Sequence, residues 1–125
     1  MDKRRPKRVK DKKVRAFEAV VRTVWGFERV FKRYIHSEES AGLWAYVRHL
    51  SERERQVANA MQNDEDIQFE IVYNPKITTD LMLEFNNKTY KVVSVDPFEY
   101  NKTDLVVRGK EIAPPTYDEV EYDEY

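Results

Sequence analysis

His36 and His49 are the only side chains of this chain whose ordinary titration lies near neutrality, and neither stands in a nucleophile or metal-binding motif. With three glycines in 125 residues there is no glycine-rich loop to cradle a phosphate. Cysteine is absent, which removes disulfides and thiolate metal sites and argues against a small secreted scaffold. Asp64, Glu65 and Asp66 gather three carboxylates but lack the alternating ligands and glycine of a calcium loop, so they read as a solvated helix end. The chemistry points away from an enzyme, and no cofactor or metal is expected.

What remains is charge. Residues 1–15 carry nine Lys/Arg against two Asp, and residues 111–125 carry six Asp/Glu with no Lys/Arg, blocks of +7 and −6 in a chain of net charge −1. Lys3, Arg4, Arg5, Lys7 and Arg8 lead the basic block, which suits phosphate or acidic-protein contacts but is also the composition of any solvated tail. Like-charged ends have little to bury, so residues 1–13 and 112–125 are expected as flexible arms on a single domain spanning 14–111. Arg15, Glu18 and Arg22 interrupt the hydrophobic residues after the basic block, so neither a signal peptide nor a membrane span is expected. Pro114-Pro115-Thr116-Tyr117 matches a short motif read by WW domains, a match of a size that chance supplies.

The elements that would position these groups are mostly strands. Val14 to Trp25 is rich in Val, Phe and Thr and ends at Gly26, favouring a strand, although Phe17, Val20, Val21 and Val24 also have helical spacing. Arg29–Ile35 alternates and returns through Gly26-Phe27-Glu28 as a hairpin. Leu43–Leu50 sets Leu43, Ala45 and Val47 on one side and Trp44 and Tyr46 on the other. Ser51-Glu52-Arg53-Glu54 is a capping box, predicting a short polar surface helix over about 51–62.

Ile67–Tyr73 alternates again, and Leu81–Phe85 with Lys88–Val95 flanks Asn86-Asn87, residues that tolerate the positive φ of a two-residue hairpin turn. That register sets Phe85 against Lys88, Leu83 against Tyr90 and Leu81 against Val92. Asp96-Pro97 is expected to close the strand, Asn101–Asp104 to turn, and Leu105–Arg108 to form the seventh and last strand. Phase puts Phe69, Tyr73, Phe85 and Tyr90 on the core face, leaving no row of aromatics on which bases would stack. The predicted fold is mainly β, a small β-barrel or strongly bent antiparallel sheet with one short helix.

In order and spacing, the Trp44 strand, Leu50-Ser51 with its polar helix, Phe69–Asn74, the Asn86-Asn87 hairpin with Tyr90, and Val95-Asp96-Pro97 resemble the phage head-tail joining family. These are the head-closure, or stopper, proteins of long-tailed phages. The resemblance implies a β-barrel that forms a homo-oligomeric ring of about twelve copies. It implies a portal and adaptor ring above, a tail-completion or tail-terminator protein below, and packaged DNA in the channel. The protein would reside in the virion's head-tail connector, and in host cytoplasm during assembly, without a membrane. The candidate channel segment is Arg48, Ser51, Glu52, Arg53, Glu54, Arg55, Asp64, Glu65 and Asp66, because the family's excursion between the corresponding strands projects into the lumen. Lys3, Arg4, Arg5, Lys7, Arg8, Trp44 and Tyr46 are candidate subunit or adaptor contacts. The alternatives are a nucleic-acid-binding β-barrel using the basic arm, or another connector or tail-completion component.

Overall fold

A computed structural model describes residues 9–50, 66–98 and 101–123. Eight strands run β1 Lys12–Val24, β2 Phe27–Tyr34, β3 Leu43–His49, β4 Ile67–Val72, β5 Met82–Phe85, β6 Lys88–Phe98, β7 Asn101–Ile112 and β8 Glu119–Tyr122. They form one mixed sheet in the order β3-β4-β7-β6-β5-β1-β2-β8, which partly closes into a ring where β1 also pairs with β3. Among the described residues there is no helix; the predicted helix over 51–62 lies outside them.

Closure depends on the length of β1. Its first residues pair with β3 (Lys12↔Ala45 to Val14↔Leu43) and the next with β5 (Arg15↔Glu84 to Phe17↔Met82), so six antiparallel strands encircle the core. From Phe17 onward β1 pairs with β2 instead, and this hairpin extends beyond the ring. Val14, Ala16, Ala45, Ile67, Phe69, Ile71, Leu83, Tyr90, Val92 and Val107 fill the interior. Alternation explains the choice, since residues two apart on a strand share a face.

Both predicted hairpins are present. Asn86 and Asn87 sit at φ 54° and 63°, with Phe85 opposite Lys88 and Leu83 opposite Tyr90, while the Val92 amide donates to the Leu81 carbonyl. The first hairpin turns one position earlier than predicted, on Trp25 (φ 52°) and Gly26 (φ 79°), leaving Phe27 and Glu28 in β2. Two positive-φ residues give a turn whose twist matches that of the flanking strands, and Trp25 must accept that conformation without glycine's freedom.

Four expectations change. Asp96-Pro97 does not end β6 and Asn101–Asp104 is not a turn; both lie in paired strands, and a register shift at Pro97/Phe98 accommodates the proline. Tyr73 is 54% exposed, because β4 ends at Val72 and the alternation ends with it. An eighth strand exists. It lies in the segment expected as a free acidic arm and runs parallel to β2, making the sheet mixed rather than antiparallel. The physical reason is the cationic edge that β1 and β2 present to it, described below.

Gly42 is held against β1. A Cβ there would stand 2.6 Å from the Val14 carbonyl oxygen, and its φ of +132° disfavours any side chain. Gly42→Ala is therefore expected to destabilise the fold by about 2 kcal/mol, read as a lower urea midpoint at unchanged slope.

Candidate functional site

The candidate channel segment leaves the ring at one rim. His49 pairs with Ile67, and the Leu50 amide donates to the Asp66 carbonyl at 3.1 Å, so the two ends of the 51–65 excursion are stapled together. Asp66 is locked to β7, its amide donating to the Gly109 carbonyl at 2.8 Å and its carboxylate accepting from the Glu111 amide at 2.9 Å. His49, Leu50, Asp66, Lys88, Tyr90 and Glu111 surround a cleft of about 230 Å³ at this rim. Arg48 lies on the outer face of β3 and reaches Gln68 at 3.4 Å; in register, Arg48, Gln68 and Arg108 stand side by side across β3, β4 and β7. The structure thus brings Arg48 and Asp66 to the same end of the ring. Ser51, Glu52, Arg53, Glu54, Arg55, Asp64 and Glu65 lie outside the described residues.

Of the candidate subunit contacts, Trp44 is 55% exposed and Tyr46 half-buried, both on the outer face of β3 as alternation requires. Lys13 Nζ stands 4.2 Å from the Trp44 ring centroid and donates to the Ser40 carbonyl at 2.7 Å, fixing one side of the indole. Lys3, Arg4, Arg5, Lys7 and Arg8 lie outside the described residues.

Two features escape the sequence reading. The first is a polar cluster on the ring's flank, at the junction of β1, β2 and β5. Glu84 accepts from Lys32 Nζ through one oxygen and from the Tyr34 hydroxyl and Arg15 Nε (3.4 Å) through the other, while Arg15 also donates to the Tyr34 oxygen at 2.7 Å. Burial alone would raise the Glu84 pKa, but hydrogen bonds from Lys32 and Tyr34 and the charges of Lys32 and Arg15 outweigh it and hold the carboxyl below its usual range. Tyr34 moves the other way, pushed up first by burial and then by the Glu84 carboxylate. Four residues from three strands meet here only because β1 pairs with β2 on one edge and β5 on the other.

The second is the docked tail. Asp118 exchanges two 2.8 Å hydrogen bonds with Val30, its amide donating to the Val30 carbonyl and its carboxylate accepting from the Val30 amide. Glu121 takes both guanidinium arms of Arg22, Glu119 lies 3.7 Å from Arg29, and Asp123 pairs with Lys76. Tyr122 stacks on Tyr34 at 4.9 Å, and Tyr117 packs edge-on against Phe17 at 5.7 Å with its hydroxyl on Met82 Sδ. Tyr117, the last residue of the WW-like match, is therefore occupied within the fold. Among the described residues the cations that meet the tail's carboxylates are Arg22, Arg29 and Lys76.

The family model described as phage head completion protein matches residues 31–112, well over half the chain. No curated protein matches the sequence.

Proposed function

This chain belongs to the phage head completion protein family, whose members are structural, non-enzymatic proteins of the head-tail connector, and we propose that it acts there as the stopper. Copies assemble as a ring beneath the portal and adaptor, the 51–65 excursion narrows the channel over packaged DNA, and the opposite face receives the tail. The observation that carries this reading is the family match itself, which spans β3, the excursion and β4. The stapling of Leu50 to Asp66 supports it, since that bond holds the ends of β3 and β4 together at one rim of the ring, where the segment between them begins and returns. Its mixed charge suits a surface that must hold DNA and later release it, as a purely basic lumen would bind phosphate tightly.

The test is to add purified protein to DNA-filled, tailless capsids, image the portal vertex and score DNA leakage. A new ring with reduced leakage is the expected result; no binding to the vertex would sink the proposal. Arg53→Glu with Arg55→Glu is expected to restore leakage while leaving the ring in place, and normal retention would remove the excursion from the mechanism. Deletion of residues 1–8, which leaves β1 whole, is expected to lower the fraction of vertices that carry a ring in the same images.

A nucleic-acid-binding reading draws on one observation: Trp25 and Phe27 at the β1–β2 hairpin tip are 93% and 74% exposed beside Arg22 and Arg29. Both arginines already face glutamates of the tail, so the connector reading stands ahead.

A further inference from the structure

We propose that residues 117–123 are an exchangeable strand: in the ring, each copy lays its tail along β2 of its neighbour and makes between copies the contacts it makes within one copy. The inference rests on the ring reading above.

Three observations carry it. The groove is built for this one segment. Phe31↔Glu119 through Tyr34↔Tyr122 pair in parallel, Tyr117 and Tyr122 anchor on Phe17 and Tyr34, and Glu119, Glu121 and Asp123 meet Arg29, Arg22 and Lys76. Every copy of the chain carries the same segment, so a neighbour's tail satisfies the groove as fully as the chain's own. Exchange of identical elements is a low-cost route to association because no new contact has to be invented.

The topology also isolates the groove. Each of the six ring strands has a neighbour on both sides, whereas β2 lies outside the ring and has β8 on its other edge. As the terminal strand of the sheet, β8 can therefore leave β2 without opening the ring, and backbone pairing with side-chain anchors is how extended peptides are recognised at sheet edges.

The connection permits the transfer. Ala113 to Thr116 are exposed and belong to no strand, and Pro114-Pro115 holds them extended. The six residues between β7 and β8 reach up to about 20 Å when extended, and a parallel strand, unlike a hairpin, is not tied to the strand it joins by a tight turn. Crowding copies under one vertex raises the local concentration of neighbouring tails toward that of the chain's own, which tips the balance between copies.

The absence of cysteine in the natural chain makes the test clean. Arg33 and Glu121 are register partners, the first exposed and the second half-buried. One preparation carries R33C and a second, with a mass tag, carries E121C; the two are mixed, assembled on capsid vertices and oxidised. A covalent pair of one tagged and one untagged chain, present in rings and absent from dilute protein, is the expected result. A chain carrying both substitutions, oxidised when dilute, should close on itself, reporting that the groove still folds. Rings in which the two preparations do not cross-link, or in which the double variant closes only on itself, would overturn exchange and leave the ring reading intact. Absence of any ring from the reduced mixture would overturn both.

Discussion

Glu84→Ala is expected to lower the unfolding free energy by about 3 kcal/mol, because it strips the shared acceptor from two cations and a buried hydroxyl at once. Tyr34 is 1% exposed and the Lys32 side chain 16%, so neither recovers full hydration when the carboxylate goes. Glu84→Gln keeps an acceptor for Tyr34 and should cost less. The same cluster sets an acid response. With the Glu84 pKa held below its unfolded value near 4.5, its stabilising contribution is complete above that value and is lost as pH falls through the lower, folded one. His36 acts earlier. Burial, opposed by the Ser37 carbonyl that accepts from Nδ1 at 2.9 Å, lowers its pKa from 6.5, so the unfolded chain takes the proton first and stability declines as pH drops below 6.5. His36 Nε2 is buried and without a hydrogen-bond partner among the described residues, and a proton there would remain unmatched. Urea midpoints measured against pH should fall in two stages, and His36→Phe should abolish the first while sparing the second.

Phe69→Ala should cost about 4 kcal/mol, the size expected when a fully enclosed ring is removed and its neighbours cannot close the gap. Phe69 is 0% exposed, stands edge-on to Phe85 at 6.1 Å and Tyr90 at 5.8 Å, and faces Val47 and Val107 on the adjoining strands. Tyr73→Ala is the matched control. It shares Phe69's phase along the chain but lies outside the core, so its change should stay within about 0.5 kcal/mol. Equal costs at the two positions would contradict the placement of the end of β4.

The contrast between these two aromatics marks how far sequence pattern reaches. Period-two alternation located β3, β4 and β5, and the Asn86-Asn87 pair fixed the register of the second hairpin, because each depends on residues close together in the chain. The end of β4 was not legible at Tyr73, since alternation says which face a residue takes while the strand lasts and not where pairing stops. Pro97 read as a terminator because a proline lacks the amide a ladder needs; the register shift beside it supplies the exception. Glu84, Lys32, Tyr34 and Arg15 each looked like ordinary strand positions, and only long-range pairing assembles them. The tail carried a visible charge signal, but net charge cannot say whether an acidic segment will find its cations within the same chain. Of the candidate channel residues, Arg48 and Asp66 lie at one end of the ring, and a role in the channel belongs to the proposal.

The strand that closes the ring is made before the other seven. β1 and β2 pair through a two-residue turn and can form as soon as Tyr34 is free, but β1 meets β5 only after Glu84 has been synthesised. Until then the hairpin waits with the apolar side chains of Val14 and Ala16 uncovered, and closure is a late, non-local event of the kind that slows β-protein folding. A nascent chain held before residue 82 should therefore give a chaperone-binding, protease-sensitive intermediate, and protection should appear in one step once β5, β6 and β7 have emerged and β7 has joined β4 to β6.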